Sequence, residues 1–341
     1  MRIRFLLPLL LLPALAAPAL AQVQQPPEPT EAELQRAQQR AEAWQAYSLR
    51  VARALGRSDG ARDLALAAVL EATARPHPGA DALAGEAERW RADAASRGAG
   101  DTITQQLLVA AGMVGEDQAT ALAAARRWQA LEPGNLAPLM LQDLDAGAVL
   151  AAAAQSARNT PDPYPLQRWI AGVLRRHPPT AAEWTILGEG QRPSNDAHAA
   201  GWAASLQGLL LPDYRDVLAA CSGRQLGAAG RAAACGRMAE LLLARPQTVL
   251  DERIGLSIAR EQARGAEEAA ALDARRRGVD WRQEQLGELA MREDGDGDAF
   301  ARAVADPSID TEDALARRLL AGAGVAVVPP ADWQAPWQRR R

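Results

Sequence analysis

Two cysteines, Cys221 and Cys235, are the only thiol-bearing residues in this 341-residue chain. Tyr214, Val217, Leu218 and Cys221 recur at i, i+3, i+4, i+7, and so do Cys235, Met238, Ala239 and Leu242. Each set reads as one apolar stripe of a helix, with one sulfur on each stripe. Gly223 is suited to ending the first helix, and Gly227 and Gly230 let the chain turn. The pattern predicts two antiparallel helices with facing sulfurs, stapled by a disulfide if the compartment is oxidising. The alternative is a pair of buried thiols acting as small hydrophobes. Two cysteines and three scattered histidines offer no ligand spacing of the kind a zinc site uses, so no metal or cofactor is expected.

Other residues suggest chemistry and then fail its context. Gly56-Arg57-Ser58-Asp59-Gly60 matches G-x-S-x-G, the turn that holds a nucleophilic serine above a sheet. That motif needs a preceding strand, whereas a helical pattern precedes it here, so Gly56 reads as a helix stop and Ser58 or Asp59 as an N-cap. Asp294-Gly295-Asp296-Gly297-Asp298 places carboxylates at alternate positions, as calcium loops do. Ala299 and Ala305 stand where that pattern wants Gly and Glu, which leaves a solvated loop between helices. His198 lies near Ser194 and Asp196, but closeness in sequence does not aim three groups at one substrate atom, and a helix cap accounts for Asp196. His77 and His177 each precede a proline at a helix end, where they are placed to serve terminal carbonyls. HExxH, CxxC and phosphate-cradling glycine loops are absent. No catalytic and no cofactor-binding residue is assigned.

The compartment follows from the first 21 residues. Arg2 and Arg4 precede an apolar run from Phe5 to Leu15, and Ala19-Leu20-Ala21 forms a small-x-small cleavage site before Gln22. This reads as an export signal cut after Ala21. The run is shorter than the ~20 residues a membrane span needs, and no later stretch is apolar enough to span a bilayer. Gln22 rather than Cys follows the cut, so the usual bacterial lipid attachment site is missing. The expected location is the periplasm, with secretion as the alternative. The formal net charge is −4, more negative by two once Arg2 and Arg4 leave with the leader. Every basic side chain is Arg, interspersed with Asp and Glu as on solvated helix faces. Without an extended basic patch, nucleic acid is excluded as a partner class.

The elements that must carry these residues are helical. Alanine dominates, aromatics make up 4%, and nine Trp stand against three Tyr and two Phe; such a chain favours helix and is poor in strand formers. Residues 22–29 form a Pro/Gln-rich linker. Thr30-Glu31-Ala32-Glu33 is a T-x-x-E capping box, opening a helix whose buried side is marked by Leu34, Ala37, Ala41, Trp44, Tyr47, Val51 and Leu55. Helices follow at about 61–74, 80–96, 102–113, 116–131, 139–158 and 165–176. A second capping box at Thr180-Ala181-Ala182-Glu183 starts the next. After a polar loop at 188–196 come 197–211, the cysteine hairpin, 249–264, 266–277, 281–292 and 311–321. The organisation expected is an N-terminal helical region at 30–187, a C-terminal one at 197–324 and an extended tail at 325–341.

One stretch carries a family resemblance. Ala121, Ala125, Trp128 and then Leu131-Glu132-Pro133-Gly134-Asn135-Leu136-Ala137 resemble the end of a tetratricopeptide repeat, where small residues on a second helix precede a Pro-Asn turn. Gln142 and Asp143 stand where the next repeat has its Leu-Gly pair, so the likeness is to a degenerate TPR-like or Sel1-like repeat. That family implies helix pairs stacked into a right-handed superhelix that binds other proteins. Trp90, Trp128, Trp169 and Trp202 lie 38, 41 and 33 residues apart, near the periods of helix-pair repeats.

The fold class expected is therefore all-α, a solenoid of about 15 stacked helices. The function expected is a non-catalytic, exported scaffold holding a protein or peptide partner in the cell envelope. The alternatives are a cell-wall-acting enzyme or accessory subunit with an unrecognised site, and a purely structural spacer. In the tail, Trp333 and Trp337 are candidate partner-binding residues; the plainer reading packs this segment on the last helix. A disulfide closing a loop of about 15 residues stabilises by roughly 3 kcal/mol. Mass spectrometry should find no free thiol and reductant should lower the melting temperature; labelling of both cysteines in the native protein would refute the staple.

Overall fold

The computed structural model describes residues 30–75, 77, 79–187, 194–292, 297–335, 337 and 338. The leader at 1–21, the linker at 22–29 and most of the 188–196 loop lie outside them, as do Asp294, Gly295 and Asp296. The chain divides into two compact units, residues 1–38 and 39–341. In the first unit the opening turns of α1 (Glu31–Leu55) carry the expected cap. The Thr30 N–H donates to Glu33 Oε2 at 2.7 Å and the Glu33 N–H to Thr30 Oγ1 at 3.3 Å, satisfying two orphan donors reciprocally. Leu34 and Ala37 were expected on a buried side; Leu34 is 55% exposed and Ala37 is exposed. The described part of this unit is one helical stretch with nothing of its own to pack against, and burial along α1 begins at Ala43.

The second unit contains the rest of α1 and α2 (Ala61–Thr73), α3 (Ala84–Arg97), α4 (Thr102–Val114), α5 (Gln118–Leu131), α6 (Ala146–Gln155), α7 (Pro163–Arg176) and α8 (Ala181–Leu187). It continues through α9 (Asn195–Gln207), α10 (Arg215–Ala220), α11 (Arg231–Ala244), α12 (Val249–Glu261), α13 (Ala266–Ala290), α14 (Gly297–Ala305) and α15 (Glu312–Gly322). Among the described residues there is no strand, only one isolated bridge between Asn135 and Arg158. No described helix is long and apolar enough to cross a membrane. Side-chain oxygens of Asp101, Asp117, Asp145, Ser194, Thr248 and Thr311 accept N–H bonds at the starts of α4, α5, α6, α9, α12 and α15, the residue types that favour this position.

Two stretches differ from expectation. Residues 266–290 form one helix rather than two, because Val279, Asp280 and Arg282 are buried along it. That packing outweighs the cost of about 1 kcal/mol that Gly278 imposes within a helix. Gly297 and Asp298, read as part of a solvated loop, instead open helix α14, in which Ala301, Ala303 and Val304 are buried.

Helix pairing shows how the core is built. α2 pairs with α3, α4 with α5, and α4 also lies against both α2 and α3. α2 and α4 are buried almost all round, as helices without a polar face must be. Further along, α7 packs on α9, α9 on α14, α14 on α15, α15 on α13, α13 on α12, α12 on α11 and α11 back on α6. One buried cluster joins α1, α2, α3, α4 and α5 to α7 and α9, so the core runs through both of the regions that the 188–196 loop was expected to separate. A second gathers Leu136, α6, α10, α11 and α12 around the two half-cystines.

Cys221 and Cys235 form the disulfide, with Cα atoms 5.6 Å apart and both side chains buried. The hairpin around them is less regular than the expected pair of antiparallel helices. α10 has six residues, with Cys221 as its C-cap; too short to run along α11, it packs on α6 and α12. The bridge ties the end of α10 to the second turn of α11.

The Pro-Gly-Asn turn after α5 is held by Asn135, which is fully buried. Its Nδ2 donates to Glu132 Oε2 at 2.6 Å and to the Thr160 carbonyl at 2.8 Å. Its Oδ1 accepts from the N–H groups of Ala137 at 3.1 Å and Thr160 at 2.9 Å. All four hydrogen-bonding positions of the amide are used. Asn135→Ala leaves the Ala137 and Thr160 N–H groups and the Thr160 carbonyl without this partner, at about 1–3 kcal/mol for a buried orphan. Urea unfolding of this variant should show a loss of about 3 kcal/mol, while Asn135→Asp should retain part of it.

Candidate functional site

The residues singled out for chemistry fall into separate places. Ser58 Oγ donates to Asp63 Oδ2 at 2.7 Å and accepts from the Gly60 N–H at 3.0 Å. The N-cap of α2 is Gly60, with no side-chain cap, so neither Ser58 nor Asp59 caps it as expected. Gly56 is a glycine for a packing reason: a Cβ there would lie 2.3 Å from the Trp90 indole. His77 Nδ1 accepts from the Gly79 N–H at 3.0 Å; it serves an amide, not a helix-terminal carbonyl. The His177 carbonyl accepts from Tyr47 Oη at 3.0 Å. Of the 294–298 segment only Gly297 and Asp298 are described, and Asp298 accepts from Ser194 Oγ. Ser194, not Asp196, caps α9, accepting from the Ala197 N–H at 3.0 Å; Asp196 lies 3.6 Å from Arg175.

His198 is set in a nest of rings drawn from three helices. Trp44 and Tyr47 come from α1, Trp184 from α8, and His198 and Trp202 lie one turn apart on α9. The His198 and Trp44 rings are parallel with centroids 5.1 Å apart, and Trp44 stacks on Trp202 at 4.8 Å. The edges of Tyr47 and Trp184 meet the imidazole at 5.4 and 5.0 Å. His198 is 7% exposed, and its Nε2 is buried without a hydrogen-bond partner. Burial lowers its pKa from 6.5 to about 4, because a charged imidazolium loses its hydration here. Beside the nest, Arg50 meets Glu183 through two bonds of 3.0 and 2.8 Å. Burial raises the Glu183 carboxyl, yet Arg50 and the Thr180 N–H together hold it below its ordinary value. The nest packs His198 directly against three rings.

A second polar cluster was not found from sequence. Tyr214 Oη donates to Asp251 Oδ1 at 2.5 Å, and the Asp251 N–H donates to Thr248 Oγ1 at 3.0 Å. Burial raises the Asp251 carboxyl and pushes the Tyr214 phenol well up. Asp251 Oδ2 and Trp128 Nε1 are both buried without partners and line one cleft with Asn159, Gln207 and Leu211. The enclosed volume is about 20 Å³, which is the scale of one water. The local signal was Thr248-x-x-Asp251, a cap spacing; its burial depends on Tyr214, 37 residues away.

Trp333 and Trp337 lie against the chain's own α13. Trp333 meets Trp281 edge-on at 5.4 Å, and Trp337 Nε1 donates to Asp280 Oδ2 at 2.9 Å. Among the described residues no three His, Cys, Asp or Glu side chains are grouped as a metal ion requires. No protein-family model, no curated protein and no solved structure matches the chain.

The titration of His198 has a stated sign. The unfolded chain binds its proton near 6.5 and the folded chain only near 4, so its contribution is fully present above pH 6.5 and is lost as pH falls toward 4. The gap corresponds to roughly 3 kcal/mol. His198→Phe keeps a ring in the nest and removes the proton. Urea unfolding at pH 7.5 and pH 4.5 should show wild type losing at least 2 kcal/mol more than the variant; equal losses would place the acid sensitivity elsewhere.

Proposed function

We propose that this chain is a non-catalytic, exported helical-repeat scaffold that binds a protein or peptide partner in the cell envelope. The stacking of α2–α3 and α4–α5 carries the reading, since α4 lies against both helices of the preceding pair. Hairpins layered this way present a continuous surface built from successive units. Close approach within the second hairpin supports the repeat likeness: a Cβ at Gly112 would lie 2.6 Å from the Ala121 N, the small-residue contact that the TPR-like pattern implies. The spaced tryptophans support it too, because Trp90, Trp128, Trp169 and Trp202 fall in α3, α5, α7 and α9, every second helix. The buried disulfide fits an oxidising compartment and with it the leader read at 1–21.

Met113 and Leu144 mark a surface for the partner. They are 46% and 39% exposed. Met113 lies in the last turn of α4, and Leu144 follows Asp143, whose Oδ2 accepts from Gln118 Nε2 at the start of α5 at 2.8 Å. Exposed large apolar side chains near one another are a usual feature of partner surfaces. Purified protein immobilised against envelope extract should retain a saturable partner, and Met113→Glu with Leu144→Glu should weaken retention at least tenfold without moving the melting temperature. If wild type at micromolar concentration retains nothing beyond bare matrix, the scaffold reading fails.

A further inference from the structure

Two buried polar atoms lie along the seam between the two cores. Trp128 Nε1 can only donate a hydrogen bond, and its side chain is 2% exposed. Asp251 is likewise 2% exposed; its Oδ1 accepts from Tyr214 Oη, while its Oδ2 meets nothing. The indole N–H is also without a partner. A buried group left in this way costs roughly ten- to a hundredfold in the folding equilibrium, and native interiors satisfy nearly all of them. Trp128 and Asp251 line the same cleft, along with Leu166 of the first buried cluster and Tyr214 of the second. α5 packs on α4, and α12 on α11 and α13, so the two side chains come to the cleft from different layers of the fold.

Size and chemistry together select the occupant. The cleft encloses about 20 Å³, against the roughly 10–15 Å³ that one water needs. Cavities of this size stay dry where their lining is apolar. Here Asn159 and Gln207 add two buried amide side chains to the indole and the carboxyl, which meets the two to four polar partners a buried water takes. A metal ion is poorly served, because among the described residues no three His, Cys, Asp or Glu side chains group as one requires. Burial raises the Asp251 carboxyl, which favours its neutral form and weakens any demand for a counter-ion. Water suits either form, since it donates to a carboxylate and accepts from an acid.

We propose that this cleft is a binding site for one tightly held water, which accepts from Trp128 Nε1, bonds to Asp251 Oδ2 and so joins α5 to α12 across the seam between the cores. The phenol of Tyr214 fixes the other oxygen of the same carboxyl, so indole, water, carboxyl and phenol form one chain of hydrogen bonds whose members strengthen each other. This gives position 128 a reason to be Trp. A Phe ring fills much of the same space but has no N–H to offer the water.

Nuclear magnetic resonance on the full chain, isotopically labelled at the tryptophan nitrogens, detects the water directly. The indole signal that disappears in Trp128→Phe is the one from Trp128. Expected is a cross-peak from this N–H to water, with opposite signs in laboratory-frame and rotating-frame Overhauser spectra, as a held water gives and proton exchange does not. Asp251→Ala should weaken it at least fivefold. A folded wild type without the cross-peak, or a cross-peak that Asp251→Ala leaves unchanged, overturns the proposal. Urea unfolding supplies a second measure through a double-mutant cycle. Trp128→Phe and Asp251→Ala should each cost at least tenfold in the unfolding equilibrium constant, and the pair at least threefold less than the product of the two, because each alone already breaks the bridge. A combined loss within threefold of that product overturns the shared water. If Asp251→Ala does not fold, Asp251→Val together with Tyr214→Phe, which removes carboxyl and phenol as a pair, takes its place in both experiments.

Discussion

Asn135 is the point through which the two cores are held in register. It sits after α5, whose Ala124 and Ala125 belong to the first cluster, and directly before Leu136, which belongs to the second. Its amide closes on Thr160 from both sides, and the Leu136 N–H adds a bond to the Arg158 carbonyl at 2.9 Å. The segment from 156 to 162, which connects α6 to α7, is therefore fixed against the turn after α5. A buried amide with every position filled specifies one arrangement, since any shift strands polar groups away from water. Arg237 extends the same connection, donating to the Ser156 carbonyl at 2.7 Å, so α11 and the disulfide beside it are tied to this turn as well.

Around that hub the alanine-rich composition becomes a packing rule. Small residues let helices approach, and a few large rings fill what remains. Trp90 lies where Gly56 has no Cβ, Thr104 lies 2.5 Å from the Cβ position at Gly98, and Leu243 lies 2.8 Å from that at Gly255. Each is a close pair of one absent and one present side chain, and adding a methyl group to any of these glycines demands a shift of neighbours that interiors resist. The nine tryptophans divide by this logic. Trp90, Trp128 and Trp184 are buried wedges, whereas the other six are half-buried; among these Trp281 and Trp333 meet edge-on, and Trp337 donates to Asp280 on α13.

Much of the fold was legible because its signals are local. Both capping boxes form as their spacing requires, and the Thr180 N–H meets Glu183 Oε2 at 2.6 Å. The cysteine pair was legible because two stripes and one turn lie within a short stretch. What was not legible depends on distant partners. α14 has only nine residues and is too short for periodicity to stand out; it is held by α9, about a hundred residues earlier. The His198 nest needs rings from α1 and α8 to be seen at all. Asp251 looked like an ordinary helix-start residue until Tyr214 covered it. The regularity of the α10–α11 hairpin was over-read, because an i, i+3, i+4, i+7 pattern is satisfied by six helical residues with its first and last members in the caps.

The buried acids show a conflict between two electrostatic effects. α12 and α15 start beside one another: Glu312 Oε2 accepts from the Val249 N–H at 2.5 Å, and the Glu312 N–H donates to the Gln247 carbonyl at 3.0 Å. The start of α7 joins them, because Gln247 Oε1 accepts from the Asp162 N–H at 2.7 Å and Gln247 Nε2 donates to Asp162 Oδ1 at 3.1 Å. Three helix N-termini thus converge where Asp162, Asp251 and Glu312 stand. The dipoles there favour anions, yet all three carboxyls are raised, with burial as the first cause. Desolvation outweighs the helix ends. These acids hold a proton more tightly in the folded chain, so their contribution is complete below the ordinary carboxyl range and lost as pH rises through their raised values. His198 acts in the opposite sense, fading as pH falls. This junction and the His198 nest therefore pull stability in opposite directions as pH changes.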